Sequence, residues 1–474
     1  MVMKRMVSIM NEKLQQFKES IKNKKVAVLG IGISNIPLIK YLCNLGVDVT
    51  AFDKSSEDKL QEAFEQLKGY SVRYSLGDSY LSNLKCFDVI FRTPGMRPDL
   101  PELVEEVKRG AELTSEMEEF MKLCPATVFA VTGSDGKTTT TTLIYKILTE
   151  EGYNCWLGGN IGTPLLSRID EVKPEDKVVL ELSSFQLMTI KSSPQVAVIT
   201  NVSPNHLDVH KSMEEYVTAK KNIFLFQKPT DKLVLNNDND ITRGFQSEAK
   251  GKCTMFARVS NIPSGVILKD GYIVVKKNNE EIKVVEAERI KIPGNHNIEN
   301  YMAATAATID YVKPQTIRKI ATTFNGVEHR IELIRELRGV KYYNSSIDSS
   351  PSRTIAALGT FKEKVILIAG GKDKGIPYDS IGPAIAEKVK LLILIGATAA
   401  RIEEAYINFI EQTDRDDQIK IIHCETYEQV VQEASKNAIA GDCVILSPAS
   451  TSFDMFKNFE HRGNVFKELV NKLQ

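Results

Sequence analysis

The sequence predicts an α/β chain of three domains, each built on a mostly parallel β-sheet. At 474 residues, the chain is long enough for about three domains of ordinary size. Apolar runs of strand length also alternate with helical patterns in three successive blocks. Strands that alternate with helices belong to parallel sheets with helices on both faces. We predict that the domains span residues 1–115, 116–326 and 327–474.

The first block predicts a Rossmann-like domain. KKVAVLGIGIS reads as a strand, a glycine turn and a helix to Leu45, and VDVTAFD as a second strand that ends at Asp53. A further strand, CFDVIFRTPG, ends near Gly95. This strand–glycine–helix–strand–acid order is typical of nucleotide-binding units. However, GIGISN has Asn35 where the dinucleotide fingerprint has its third glycine, which disfavours an NAD site.

The central block contains a short phosphate-binding loop, TGSDGKTTTT, between a predicted strand and a predicted helix. Gly133 and Gly136 allow backbone N–H groups to face an anion, and the helix N-terminus adds a favourable dipole. Lys137 would contact the terminal phosphates, and Thr138 would bind Mg²⁺. The full P-loop pattern has a glycine where Val131 stands, so the alternative is a tight turn without a ligand.

Polar side chains follow the next two strands of the central block. Glu181 lies near the end of LELSS, and His206 and Asp208 follow the strand in TNVSPNHLD. Functional groups of open α/β sheets gather beyond the carboxyl ends of strands, and an acid there suits Mg²⁺. His206 and His210 are four residues apart, which leaves zinc as a minor alternative because HLDVH lacks the glutamate of H-E-x-x-H.

A short helix follows the histidine segment. Ser212 and Glu215 have the spacing of a capping box at its start. Lys220 falls on the apolar stripe of this helix, whereas Lys221 faces away. Lys220 therefore either lays its stem along the core or directs its amine into the site. Its position just after His206 favours the site.

The last block predicts a second Rossmann-like domain. It begins near FNGVEHR, and KVILIAGG, LLILIGA and DCVILSPAS each read as a buried strand followed by a helix. The repetition is architectural, because the blocks show no internal sequence repeat.

Composition limits the function classes. Lys plus Arg and Asp plus Glu both number 61, so a nucleic acid or an anionic membrane is not expected as a partner. The seven cysteines are scattered without a C-x-x-C pair, as expected of reduced thiols in the cytoplasm. The first residues lack the apolar core of a secretory signal, and no apolar run is long enough to cross a membrane.

Taken together, the motifs resemble the Mur ligases of peptidoglycan synthesis. TGSDGKTT, GGNIGTP, LELSSFQL, TNVSPNHLD, the AKK helix, PGNHNIEN, EHR and LSPASTSFDMFKNFEHRGN occur in the family's order. The C-terminal motif and the GGKDKG loop resemble the branch that adds D-glutamate to UDP-N-acetylmuramoyl-L-alanine. The resemblance implies a cytoplasmic, monomeric ligase that uses ATP and Mg²⁺. Its partners would be these small-molecule substrates, without nucleic acid and without membrane insertion.

The resemblance also implies roles for individual residues. Those implied to be catalytic are Lys137, Glu181, His206 and Lys220, of which Lys220 matches a lysine that the family carbamylates. Those implied to bind ATP are Gly133, Ser134, Asp135, Gly136, Lys137, Thr138, Thr139, Asn297, Asn300 and Arg330. Those implied to bind the UDP substrate are Ile33, Ser34, Asp53, Lys54, Ser55, Gly95, Asn160 and His206. Those implied to bind D-glutamate are Lys374, Ser452, Phe453 and Phe459, and those implied to bind metal are Thr138, Glu181, His206 and Lys220.

Two positions depart from the family pattern. Asp135 stands where many relatives have asparagine, so its carboxylate is expected to turn away from the phosphates or to meet a cation. Ser345 stands where relatives usually have an aspartate that contacts ATP. The sequence leaves open whether Asp348, three residues later, takes over that contact.

Three alternative functions remain at the level of sequence. A folylpolyglutamate synthase-like amide ligase would share the central block but would not need the Asp53 loop for UDP. A non-catalytic nucleotide-dependent regulator would not need the acid, the histidine segment and the lysine helix together. An NAD oxidoreductase is disfavoured by GIGISN.

Overall fold

The computed structural model divides into two compact units, Met1–Thr323 and Phe324–Gln474. It describes residues 2–32, 34–204, 210–278, 280–292, 294–373, 375–413 and 418–474, with side chains from residue 12 onward. Three of the predicted site residues lie outside the described residues: Ile33, His206 and Lys374. The zinc alternative, which depends on His206, lies outside them as well.

The first sheet of the N-terminal unit has five parallel strands in the order β3-β2-β1-β4-β5. Its strands are β1 Lys25–Leu29, β2 Asp48–Asp53, β3 Val72–Leu76, β4 Val89–Arg92 and β5 Glu112–Thr114. Its helices are α1 Val2–Lys22, α2 Asn35–Asn44, α3 Gln61–Leu67, α4 Pro101–Lys108 and α5 Glu116–Leu123. Alternate residues of β1 enter different cores, Val26 and Val28 on one face and Ala27 and Leu29 on the other. Both faces are therefore covered, as predicted.

The second sheet of that unit has nine strands in the order β14-β13-β12-β11-β10-β9-β6-β8-β7. Its strands are β6 Thr127–Thr132, β7 Cys155–Gly159, β8 Lys177–Glu181, β9 Val196–Ile199, β10 Lys232–Asn236, β11 Lys252–Ala257, β12 Gly265–Lys269, β13 Tyr272–Lys277 and β14 Glu280–Glu286. Its helices are α6 Lys137–Glu151, α7 Ser184–Leu187, α8 Met213–Lys221, α9 Asp240–Gly244, α10 Asn295–Thr308 and α11 Pro314–Thr323. The pairing is parallel from β7 to β12, and β12, β13 and β14 pair antiparallel.

The C-terminal unit contains a six-stranded sheet in the order β15-β16-β20-β17-β18-β19. Its strands are β15 Glu332–Leu337, β16 Val340–Asn344, β17 Val365–Ala369, β18 Val389–Ile395, β19 Lys420–Cys424 and β20 Cys443–Leu446. Its helices are α12 Pro351–Leu358, α13 Gly382–Lys388, α14 Ala399–Thr413, α15 Tyr427–Asn437 and α16 Phe459–Lys472. Within this sheet, only the β15–β16 pair at one edge is antiparallel among the described strands.

The predicted fold class is confirmed: three sheets, mostly parallel, form an α/β chain. The sequence reading did not single out several edge elements, such as α1, β7 and the β15–β16 pair. The domain boundaries at 115 and 326 stay predictions. Among the described residues, no helix combines the length and the apolar content that a membrane crossing requires.

Candidate active site

The register of the central sheet gathers the predicted phosphate loop and its neighbours at one edge. β6 pairs in parallel with β8 and β9, so Val131 lies beside Glu181 and Thr132 beside Ile199. Asn160, just beyond β7, donates its backbone N–H to the Glu181 carbonyl at 2.7 Å. Groups from four adjacent strand ends therefore lie together, which is where parallel sheets bind ligands.

Two glycines give the loop its shape. Gly133 and Gly136 have φ values of 153° and 76°, which L side chains rarely adopt. A Cβ atom at Gly133 would lie 1.9 Å from Thr200 Oγ1, and one at Gly136 would lie 2.3 Å from Asn300 Oδ1. The loop is thus closely packed against β9 and α10, and Gly136 caps the N-terminus of α6.

Hydrogen bonds from the end of β9 fix the tip of the loop. Thr200 Oγ1 donates to the Asp135 carbonyl at 2.6 Å, and Asn201 Oδ1 accepts from the Asp135 backbone N–H at 3.0 Å. Ser134 Oγ donates to the Ser203 carbonyl and also bonds Tyr216 of α8 at 3.0 Å. The Asp135 side chain is exposed, so the extra carboxylate faces solvent.

Two lysines converge on the same loop carbonyl. Lys137 Nζ donates to Gly133 O at 3.0 Å and to Ser134 O at 2.9 Å, and Lys220 Nζ donates to Gly133 O at 2.8 Å. The Lys220 side chain is 1% exposed and lies over the Tyr216 ring. Burial lowers the pKa of Lys220 to about 6, and the Lys137 charge acts in the same direction. The α8 lysine is therefore directed at the phosphate loop and favours the neutral amine at neutral pH.

Lys221 has a different environment. It forms an ion pair with Glu248 at 2.6 Å and lies over the Phe245 ring. The two successive lysines of α8 thus point to different surroundings, as the helical stripe predicted.

Glu181 presents an oxygen that suits a metal ion. It is 1% exposed, and its Oε1 accepts from Asn160 Nδ2 at 2.8 Å. Its Oε2 is buried without a hydrogen-bond partner among the described residues. An unpaired buried carboxylate oxygen is costly, and a hard cation such as Mg²⁺ would satisfy it. The residues present therefore fit a Mg²⁺ site between Glu181 and the phosphate loop.

Asn297 and Asn300 of α10, both predicted to bind ATP, lie behind the loop. Asn300 Nδ2 donates to Asn297 Oδ1 at 3.2 Å, and Thr140 Oγ1 donates to Asn300 Oδ1 at 3.2 Å. Asn300 is buried at the start of α10, next to Gly136. In this position Asn300 supports the loop, and its predicted contact with ATP stays a prediction.

Two cavities lie at the carboxyl edge of the first sheet. One, of about 400 Å³, is lined by Asp53, Lys54 and Gly95 among others. Asp53 accepts from the backbone N–H groups of Ile31 and Ser55, each at 2.8 Å. The carboxylate thereby ties the loops after β1 and β2 together beside this cavity.

The second cavity, of about 240 Å³, joins the first two sheets. Ser34 and Asn160 both line it, as do Glu116 and Arg92. Glu116 is buried and accepts from the backbone N–H groups of Leu165 and Leu166. Burial raises the pKa of Glu116 to about 7. The predicted substrate residues Ser34 and Asn160 are thus brought to one hollow.

The remaining predicted residues belong to the C-terminal unit. Ser452 is buried, whereas the Phe453 side chain is exposed. Phe459 begins α16, and its carbonyl accepts from Ser346 Oγ at 2.8 Å. Arg330 lies in the segment before β15. Its contact with ATP, like the other site assignments of this unit, stays a prediction.

Ser345 and Asp348 have structural partners within this unit. Ser345 is fully buried, and its Oγ accepts from the Ile331 backbone N–H at 3.1 Å. Asp348 Oδ2 accepts from Ser447 Oγ at 2.8 Å. Burial raises the pKa of Asp348 to about 6, against hydrogen bonds from Ser345 and Ser447.

Known proteins and protein-family models match nearly the whole length of this chain. The description "Mur ligase MurD-like, N-terminal domain" fits residues 24–115, "Mur ligase middle domain" fits residues 131–308, and "Mur ligase, glutamate ligase domain" fits residues 329–450. A UDP-N-acetylmuramoylalanine–D-glutamate ligase of Ruminiclostridium cellulolyticum is 73% identical over 98% of this chain and 100% of its own length. The chain belongs to the Mur ligase family.

Other relatives agree with this membership. An enzyme of the same name from Acetivibrio thermocellus is 63% identical over 98% of this chain and 100% of its own length. In fold, the chain resembles the UDP-N-acetylmuramate-alanine ligase MurC of Thermotoga maritima, with a TM-score of 0.56 at 18% identity over 94% of this chain and 99% of that one. As a Mur ligase, the protein is an ATP-dependent ligase.

Three buried supports of this Mur ligase were not found from the sequence. Arg92 donates to the carbonyls of Thr93, Pro94 and Met96. Tyr216 bonds the phosphate loop, and Arg462 donates to Ser346 and to the Ser450 carbonyl. A charged residue at a strand end, as in FRTPG, was the available signal for Arg92. Nothing local marks the other two.

We expect Gly136→Ala to weaken ATP binding by about tenfold or more. The added Cβ would collide with Asn300, and an alanine at this positive φ costs roughly 1–2 kcal/mol by itself. Gly152→Ala is the matched control. Gly152 also has a positive φ, of 109°, at the other end of α6, but a Cβ there meets nothing within 4 Å. Calorimetric titration with ATP, together with the melting temperature of each variant, separates lost binding from lost stability. Equal ATP affinity in the two variants would contradict the assigned loop geometry.

Proposed function

We propose that this protein joins the amine of D-glutamate to the carboxylate of UDP-N-acetylmuramoyl-L-alanine, with cleavage of ATP to ADP and phosphate, for peptidoglycan synthesis. The observation that carries the proposal is the full-length similarity to ligases of that name, at 73% and 63% identity. The strand-end cluster of the phosphate loop, Glu181 and Lys220 supplies the chemistry. The D-glutamate specificity is supported by the match to a glutamate ligase domain at residues 329–450.

The reaction divides into two steps. An oxygen of the L-alanine carboxylate attacks the γ-phosphorus of ATP, the bond to the bridging oxygen breaks, and ADP leaves. The neutral amine of D-glutamate then attacks the carbonyl carbon of the acyl phosphate, and phosphate leaves as the amide forms and the amine loses a proton. Two easier steps thus replace one difficult condensation.

The phosphate loop provides binding and charge neutralisation for the first step. The N-terminus of α6, which begins at Lys137 after Gly136, would face the transferring phosphoryl group. Lys137, which contacts the Gly133 and Ser134 carbonyls, supplies a positive charge at the same place. Positioning and electrostatic stabilisation account for most of the catalysis of phosphoryl transfer.

Mg²⁺ would be held by Thr138 and Glu181, with His206 and Lys220 as ligands implied by the family resemblance. Bound there, Mg²⁺ neutralises phosphate charge and polarises the transferring group. The orphaned Glu181 Oε2 supports this assignment.

We further propose that Lys220 is carbamylated. A neutral amine reacts with CO₂, losing a proton to leave an anionic N–COO⁻ group with two oxygens, the type of ligand that Mg²⁺ prefers. The burial of Lys220 and its direction toward Gly133 support the proposal.

The UDP substrate is proposed to occupy the cavities after β1, β2 and β4. Asp53, Lys54 and Gly95 line one of them, and Ser34 and Asn160 the other. D-glutamate is proposed to bind the C-terminal unit at Ser452, Phe453, Phe459 and Lys374. A monomeric enzyme in the cytoplasm stays our expectation.

The direct test of the function is phosphate release that requires both UDP-N-acetylmuramoyl-L-alanine and D-glutamate. We expect Lys137→Ala to lower this rate at least about tenfold, because charged hydrogen bonds contribute roughly 1.5–3 kcal/mol and more in the transition state. The variant should still bind the UDP substrate. Release from the wild-type protein that ignores either substrate would refute the function, and normal turnover of Lys137→Ala would refute the loop assignment.

We expect Lys374→Ala to raise the KM for D-glutamate with little change in the KM for ATP, because a carboxylate of D-glutamate loses its cation. Lys372→Ala, two residues away in the same loop, is the control and should be nearly silent. Steady-state kinetics with each substrate varied in turn measure both values. A collapse of ATP affinity with normal D-glutamate affinity would show the domain assignment to be wrong. L-glutamate should not substitute, because inversion of its centre misplaces the amine or a carboxylate.

We expect Lys220→Ala to lose most activity, and acetate to restore part of it by replacing the missing carboxylate oxygens. Lys221→Ala is the matched control because Lys221 pairs with Glu248 instead. Carbon-13 NMR of protein equilibrated with labelled bicarbonate should show a carbamate signal that Lys220→Ala lacks. Full activity of Lys220→Ala would mean that this side chain merely lies along the core.

A further inference from the structure

The loop between β4 and α4 serves two neighbours at once. Residues 93–97 of this loop line the 400 Å³ cavity, through Thr93, Gly95, Met96 and Arg97. The same loop reaches across to the central sheet's helices α7 and α8. It therefore stands between the proposed substrate cavity and the elements next to Glu181 and Lys220.

Arg97 makes the connection to α8. Its guanidinium contacts Glu215 Oε1 at 2.7 Å through Nη2 and Glu215 Oε2 at 3.2 Å through Nη1. The same group contacts Asp99 at 2.8 and 3.0 Å. Both Glu215 oxygens are used, so the fork fixes direction as well as distance. Arg97 lowers the pKa of Glu215 to about 2, so the pair is charged at neutral pH.

Glu215 lies in the first turn of α8, five residues before Lys220. Ser212 caps this helix, accepting from the Glu215 backbone N–H at 3.2 Å. Glu215 Oε2 also accepts from the Lys211 backbone N–H at 2.6 Å. The sequence predicted a reciprocal capping box, but the carboxylate is instead shared between Lys211 and Arg97. A helix of nine residues transmits a displacement of its first turn to Lys220.

His210, just before α8, lies near the Glu215 carboxylate and bonds α7. His210 is buried, its Nδ1 lies 3.7 Å from Glu215 Oε2, and its Nε2 lies 2.9 Å from Ser184 Oγ of α7. Its ring stacks on Phe185 with the centroids 5.2 Å apart. His210 is thus bonded to α7 and lies near the Glu215 carboxylate of α8.

A second arginine strengthens the connection to α7. Arg92 is 1% exposed and donates to the Phe185 carbonyl and to Thr189 Oγ1, each at 3.1 Å. The end of β4 and the loop after it are therefore attached to α7 and α8, the helices next to Glu181 and Lys220. Of the two attachments, only Arg97 also lines the larger cavity.

We propose that Arg97 is a positioning residue that, through Glu215, sets α8 and its Lys220 relative to the bound UDP substrate. The inference rests on the proposed function, because it assigns the cavity to that substrate and Lys220 to the reaction. The pair is partly exposed, with side chains 21% and 29% accessible, so it contributes little to global stability. Its effect therefore falls on the placement of Lys220 and not on folding.

The test compares Arg97→Met, which keeps the apolar stem, with Glu215→Gln, which keeps an acceptor for Lys211. In each variant kcat should fall about tenfold, a loss typical of a charged hydrogen bond, while the Kd for UDP-N-acetylmuramoyl-L-alanine changes less than about twofold. The double variant should be no slower than the slower single variant, because both changes break one link. Arg97→Lys should recover part of the rate. Arg168→Met is the control, since Arg168 pairs with Glu171 within one turn of chain.

Other results would overturn the inference. A raised Kd with normal kcat would make Arg97 a direct substrate ligand, and unchanged kcat in both variants would remove any role for the pair. Losses that multiply in the double variant would show two independent effects. Melting temperatures identify a variant that fails to fold, and the other variant then decides. If wild-type protein shows no release dependent on both substrates, the proposed function fails, and this differs from a failure confined to Arg97.

Discussion

Parallel pairing of β6 with β8 and β9 is the constraint on which the active site depends. Because these strands run in the same direction, their carboxyl ends share one edge, and groups from distant sequence positions become neighbours. Glu181 lies beside Val131, and Thr200 and Asn201 reach the tip of the phosphate loop. The predicted phosphate loop contains two flexible glycines, and its conformation is restrained by contacts with residues that follow β9 and with Asn300 of α10.

The predicted phosphate loop also explains the protonation state of the buried Lys220. Two lysine side chains share the Gly133 carbonyl, and one of them, Lys220, has almost no contact with water. Burial and a neighbouring charge both disfavour a second ammonium. The local electrostatics therefore favour a neutral or anionic Lys220 side chain. The proposed carbamylation requires the neutral amine, and the anionic carbamate would suit the proposed cation site nearby.

The loop after β4, which lines the cavity proposed for the UDP substrate, is positioned by arginine hydrogen bonds. Two arginines, Arg92 at the end of β4 and Arg97 in the loop that follows, attach this loop to the elements around α7 and α8 through hydrogen bonds. A guanidinium suits this task because its planar fork fixes orientation as well as distance. The arrangement makes the position of the proposed UDP cavity and that of Lys220 depend on each other across two sheets.

The sequence alone determined the fold class, the strand–glycine turn–helix form of the predicted phosphate loop and the separation of Lys220 from Lys221. These features follow from local patterns: buried apolar runs, glycines before a helix, and the 3.6-residue period of α8. The tertiary structure decided what local pattern does not encode. Glu215, which the sequence assigned to a capping box, bonds Lys211 and a distant arginine instead. Asn300 supports the loop from behind, and Arg92 and Tyr216 gain their roles from strands and helices far along the chain. The physical reason is that charge pairing and burial depend on the three-dimensional neighbours of a side chain, which parallel sheets draw from distant segments.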